Sequence, residues 1–189
     1  VAEHIGPRAE AVGQTDEFAW DNFRLLAREG IVATAFPREY GGSNASMLLR
    51  VRIIEELAVA CTTSASIITG TDLSSRPIVA GALPKIQQAV MPDLVTGVRQ
   101  SAFALTEPGA GSDVARLATD YVVQADGSYL LNGRKKFITR ANVADMFVAV
   151  ARLKDGPEGA RGLSAFLVPR AAKGIQISPI IPKMGWNGV

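Results

Sequence analysis

The residues best equipped for chemistry lie in two short stretches. One runs from Ser101 to Asp113, Ser-Ala-Phe-Ala-Leu-Thr-Glu-Pro-Gly-Ala-Gly-Ser-Asp, and the other from Leu131 to Arg140, Leu-Asn-Gly-Arg-Lys-Lys-Phe-Ile-Thr-Arg. In the first, Pro108, Gly109 and Gly111 force an irregular turn. Such a turn offers bare backbone amides to a ligand, because glycine has no Cβ to block the approach. Side chains alternate along an extended chain, so Phe103 and Leu105 share one face, as do Phe137 and Thr139. If the two segments are neighbours, an aromatic ring, an aliphatic wall and the hydroxyls of Thr106 and Thr139 could surround one flat ligand. A flavin ring is such an object, with an apolar face to stack on and polar edge atoms. The same pattern also suits a plain core strand with a solvated back.

Other candidates carry less. Glu55 and Glu56 are a carboxylate pair, but adjacent helical positions point about 100° apart and cannot converge on one atom. A single histidine, His4, and a single cysteine, Cys61, leave no zinc cluster, no disulfide framework and no Ser-His-Asp constellation. Gly109-Ala110-Gly111 lacks the third glycine and the following helix of the dinucleotide fingerprint, and no βαβ alternation surrounds it.

The elements that must position these residues fall into two classes. Residues 1–100 read as helices. An amphipathic piece covers Val1 to Val12, and Thr15 is an N-cap candidate followed by Asp16 and Glu17. Phe18, Ala19, Phe23, Leu25 and Leu26 form an apolar stripe ended by Gly30. A helix from about Ala45 to Cys61 carries Leu48, Val51, Ile54, Leu57 and Ala58 on one face. Residues Thr62 to Leu83 are small and hydroxyl-rich and suit tightly packed helices and a wall against a lipid-like ligand. Pro84 opens a last helix through Val95. About five helices thus precede the organising strand.

Residues 101–189 read as strands: Ser101–Thr106, Ala118–Ala125, Tyr129–Leu131, Lys135–Thr139, Met146–Leu153, Leu163–Val168 and Ile175–Ile180. Asp126-Gly127 and Asn132-Gly133 are expected to be two-residue hairpin turns, whose central residues need φ > 0. The expected architecture is therefore α+β and multidomain. An all-helical domain (residues 1–100) precedes an antiparallel β-barrel or sandwich domain (residues 101–189), incomplete at its C-terminal end.

Composition sets the outer bounds. The chain has 189 residues, 48% of them hydrophobic and 20% charged, with a net charge of +2. These are the proportions of a soluble globular protein. No apolar run approaches the ~20 residues of a bilayer span, and a reducing compartment, the cytoplasm, is the expected location. Residues 134–189 hold ten Lys/Arg against three Asp/Glu. These charges lack the aromatic interleaving of single-strand nucleic-acid binders and suit a solvated face or a contact with a further segment, so neither nucleic acid nor membrane is an expected partner.

Six ordered motifs resemble the acyl-CoA dehydrogenase family. They are Ala102 to Asp113, Leu131 to Thr139, Phe36-Pro37-Arg38-Glu39-Tyr40-Gly41-Gly42, Glu55-Glu56-Leu57-Ala58, Gly162 to Val168, and Lys183-Met184-Gly185-Trp186. The resemblance covers nearly the whole chain. It implies a helical domain, a middle β domain and a C-terminal four-helix domain with no counterpart in these residues. It implies FAD, held by Phe103, Leu105, Thr106, Gly111, Ser112, Phe137, Ile138 and Thr139, with Ser112 also beside the pantetheine arm of the substrate.

The implied reaction is α,β-dehydrogenation of an acyl-CoA thioester in fatty acid metabolism. Electrons would pass to an electron-transferring flavoprotein, and the assembly would be a homotetramer or dimer. No catalytic base is assigned here, since the family usually draws a Glu from its C-terminal domain, and Glu107 reads as structural. Alternatives on the same scaffold are a flavin-dependent oxidase, a monooxygenase or nitroalkane-oxidising enzyme, and a non-catalytic subunit. Many members carry Trp at the position of Phe137, Asn at that of Arg140 and Arg at that of Asn187. Arg140 is expected to add positive charge beside the flavin.

Overall fold

The computed structural model describes residues 1–189. Its helical part contains α1 (Ala9–Gly13), α2 (Trp20–Arg28), α3 (Met47–Ala60), α4 (Thr62–Gly81) and α5 (Pro84–Thr96). The five expected helices are present. The hydroxyl of Thr15 accepts from the Glu17 amide at 3.1 Å, yet the helix it was expected to open starts five residues later, at Trp20. Phe18, Phe23 and Leu26 are buried against Leu57 of α3, Ile67 and Ile68 of α4, and Cys61 between those helices. Ser46 caps α3 by accepting from the Leu49 amide. Only Leu57 of the expected α3 stripe is fully buried, while Leu48 and Val51 lie in the open. Gly97 ends α5 at φ 74°, the left-handed conformation glycine adopts without strain.

The sheet differs from expectation in kind. It has five strands, β1 (Ser101–Ala104), β2 (Asp120–Val123), β3 (Tyr129–Asn132), β4 (Met146–Leu153) and β5 (Leu163–Pro169). β4 is the trunk. Antiparallel β5 occupies one of its edges from Met146 to Arg152. Its other edge pairs in parallel with β1 at Met146–Ala149 and then with β2 at Arg152 and Leu153. β3 completes an antiparallel hairpin with β2, and Gly127 at φ 81° supplies the left-handed turn residue. The expected antiparallel barrel or sandwich is thus corrected to an open, mixed sheet. A period-2 pattern reports a half-buried extended chain and says nothing about the direction of its neighbour.

Two expected strands do not form. Lys135–Thr139 is irregular because Phe137 (φ 58°) and Arg140 (φ 65°) both take left-handed conformations. Ile175–Ile180 runs alongside without a ladder, although Ile175 and Ile177 pack beneath the sheet. Gly133 makes no hairpin and is absent from the positive-φ residues. A Cβ there would come within 2.3 Å of the Thr119 hydroxyl, so glycine is needed for close approach.

Helices and sheet share a core. Met146 and Val148 of β4 join Ile78, Val90, Met91, Leu94 and Val95 of α4 and α5 in one buried cluster, with Phe103 packed against it. The opposite face of β1, Ala102 and Ala104, packs with Ala144, Phe147 and Ile138. The last residues return to the first helices. Asn187 donates to the Gly13 carbonyl at 3.0 Å, and its own carbonyl accepts from Thr63 at 2.8 Å. No helix is long and apolar enough to cross a membrane.

Candidate functional site

The two chemistry-bearing stretches meet just beyond the C-terminal end of β1. The Lys136 amide donates to the Thr106 carbonyl at 2.8 Å, which sets the chain of Phe137–Thr139 beside the end of the first segment. One contact deeper, the Lys135 ammonium has three acceptors: the Leu105 carbonyl at 3.1 Å, the Val150 carbonyl at 2.6 Å and Glu107 Oε1 at 2.8 Å. Val150 lies in the gap on β4 between the end of β1 and the start of β2. The lysine therefore satisfies a carbonyl that the interrupted ladder leaves unpaired.

Glu107 completes this clasp. Its carboxylate is buried and accepts from the Ala118 amide at 2.6 Å and the Thr119 amide at 3.1 Å, as well as from Lys135. Burial by itself raises the carboxyl pKa. The hydrogen bonds from Lys135 and from the Ala118 and Thr119 amides outweigh it, and the net shift is downward. For Lys135 burial dominates: its pKa is lowered despite the pull of Glu107. The Glu107 amide and carbonyl also bridge to Ala110, closing the Pro108-Gly109 turn.

Above the clasp lie free donors. Gly111, Ser112 and Asp113 are exposed, and their amides donate to no protein acceptor. The hydroxyls of Thr106, Ser112 and Thr139 likewise make no hydrogen bond, nor do the amides of Ile138 and Thr139. A Cβ at Gly109 or Gly111 would meet nothing within 4 Å, so the turn is open to an approaching group. Unused amides and hydroxyls facing open space are the donor set that carbonyl, phosphate or ring-edge acceptors require.

The expected site residues do not all converge. Phe103 lies on the face of β1 that packs toward α5, whereas Ile138 packs against the opposite face. Leu105 and Thr106 are half-buried. Phe137 is 64% exposed, with the Lys136 ammonium 4.6 Å from its ring centroid. Phe137 and Thr139 are not the alternate residues of a strand, because of the left-handed turn at Phe137. Two depressions of about 270 and 370 Å³ lie on the helical part and involve none of these residues.

Sequence reading overlooked Lys135, Thr119 and Ser74. Opposite charges at Glu107 and Lys135, one in each motif, were a usable signal for the clasp. Nothing in the pattern announces the buried 2.8 Å hydrogen bond from Ser101 to Ser74, which fastens β1 to α4. Arg140, expected beside a flavin, instead sends its guanidinium inward onto α4.

The comparisons with known proteins agree with one another. The acyl-CoA dehydrogenase N-terminal domain matches residues 1–98, and the acyl-CoA dehydrogenase middle domain matches residues 102–189. The short-chain specific acyl-CoA dehydrogenase of Clostridium acetobutylicum is 32% identical over 96% of the chain and 48% of its own length. The CarC subunit of the caffeyl-CoA reductase-Etf complex of Acetobacterium woodii is 35% identical over 95% of the chain and 47% of its length. The structure of an acyl-CoA dehydrogenase complexed with FAD from Bacillus anthracis superimposes with a TM-score of 0.87 at 31% identity, covering 99% of this chain and 32% of that one. The chain spans about half the length of the curated relatives it matches. With both domain families matched in order from end to end, the chain belongs to the acyl-CoA dehydrogenase family.

Proposed function

We propose that this chain is the flavin-holding portion of an FAD-dependent oxidoreductase that dehydrogenates an acyl-CoA thioester between its α and β carbons. The observation that carries this reading is the Lys136 to Thr106 hydrogen bond, which sets the two donor-bearing segments side by side above a buried ion pair. Thr106 and Thr139 would bond the edge of the flavin ring, and Phe137, Ile138 and Leu105 would supply apolar support, while Phe103, packed toward α5, would brace β1 from behind. The free amides of Gly111 and Ser112 would hold acceptors at the turn, with Ser112 also bordering the thioester's pantetheine arm. When bound, the flavin supplies hydride acceptance from the β carbon.

The residues of this chain position and desolvate; they do not abstract the α proton. Glu107 is unsuited to that role because both oxygens are engaged, the group is buried and its pKa is depressed. The base is accordingly placed elsewhere in the whole protein. The CarC relative's name supports an electron-transferring flavoprotein as redox partner. That name also favours a second reading, the same chemistry run as reduction of an enoyl thioester. The exposed apolar residues Met47, Leu48, Leu49 and Val51 suit a homo-oligomer.

The test uses the intact gene product. It is expected to be yellow, to bleach anaerobically with a saturated acyl-CoA and to yield the enoyl product. Reoxidation under air but not by electron-transferring flavoprotein would favour an oxidase. A colourless protein that takes up no flavin on reconstitution would sink the reading.

A further inference from the structure

Arg140 is the one buried cation without a counter-charge. It is only 3% exposed, and its left-handed backbone turns the side chain in against α4. Nη1 alone is engaged, donating to Thr71 Oγ1 at 2.8 Å, Gln100 Oε1 at 3.3 Å and the Ile67 carbonyl at 3.5 Å. Nε has no partner, and neither does the neighbouring Gln100 Nε2. The guanidinium lies against bare backbone: a Cβ on Gly70 would sit 3.0 Å from Nη2 and 3.2 Å from Cζ. Asp72 on the same helix is taken by Arg50 and Arg76, and Asp145 accepts from the Gln100 amide. Burial pushes the Arg140 pKa down to about 10, so the group stays protonated at neutral pH.

We propose that Arg140 is a fixed, unneutralised charge whose field favours the reduced state of the flavin held at Thr139, one residue away. The inference rests on the flavin reading above. Hydride transfer from the acyl β carbon delivers two electrons and one proton, so the ring gains one net negative charge, while the α proton leaves to the base. A cation within about 10 Å, acting through an effective dielectric of ~20, shifts such an equilibrium roughly tenfold. For a two-electron couple tenfold is about 30 mV. Arg140 acts at a distance here as an electrostatic positioning residue.

The experiment equilibrates the intact, FAD-loaded protein with reference redox dyes. Arg140→Gln is expected to disfavour reduction about tenfold, lowering the midpoint potential by about 30 mV. Arg140→Lys is expected to keep most of the wild-type value, a rescue that depends on charge alone. Should Arg140→Gln fail to fold, sulfite binding to the wild type replaces it. The anionic sulfite adduct is expected to form at least tenfold more tightly than with free FAD. An unchanged potential in Arg140→Gln, or sulfite affinity no better than that of free FAD, overturns the inference alone. A wild-type protein that takes up no flavin overturns it together with the proposed function.

Discussion

Lys135 and Arg140 are five residues apart, both point inward, and they are treated in opposite ways. Lys135 spends its three protons on two carbonyls and a carboxylate that two amides also hold. Arg140 engages one nitrogen, faces no carboxylate and lies against a glycine. A saturated ion pair ties three chain segments together and leaves little field beyond itself. An unsaturated buried charge adds little to cohesion and projects its field outward. The clasp therefore builds the platform, and the lone guanidinium is a cost to the fold.

The contrast can be broken from either side. Glu107→Ala should be the most damaging change, about 3–5 kcal/mol by chemical denaturation, since it strands a buried ammonium and two amides. A loss below 1 kcal/mol would remove the clasp from the account. The paired change Glu107→Gln with Lys135→Met should recover much of that loss, because no buried charge remains. Arg140→Met should move the other way, neutral or about 1 kcal/mol more stable. Clear destabilisation there would mean that Arg140 is cohesive after all. Ser101→Ala should cost about 1 kcal/mol, the worth of one buried hydroxyl contact.

Of the two, only the clasp should respond to acid. The folded pKa of Glu107 is depressed, so its contribution is complete above the unfolded value of about 4.3 and is lost as pH falls through the folded value. Glu107→Gln should flatten that acid limb of the stability curve, whereas Arg140→Met should leave its shape unchanged.

Much of the local structure was legible from residue types alone. Met146–Leu153 is the strand its alternation predicts, to the residue. Asp126-Gly127 does lie in the β2–β3 turn, but the loop is longer than the expected two residues and Gly127 alone takes positive φ, while Pro84 and Gly97 bracket α5. The misses share one cause. Strand direction, the break in the ladder at Val150 and the failure of Lys135–Thr139 to extend are set by partners distant in sequence. The positive φ at Phe137 and Arg140 has no local signature, since neither is a residue that favours it. The candidate site was therefore legible as two motifs, while their junction through Lys136 and Thr106 was not.

The return of Asn187 to Gly13 has a kinetic consequence. That hydrogen bond spans 174 positions and the Thr63 contact spans 124, so each closes a loop encompassing most of the chain. Such closures carry the largest entropy cost and are rewarded only after both parts have condensed. The seam should therefore form last in refolding and open first under native conditions. Hydrogen exchange at the Ala19 amide, which donates to the Gly188 carbonyl at 3.1 Å, would then outpace that of β4 by orders of magnitude, although both belong to the same folded molecule.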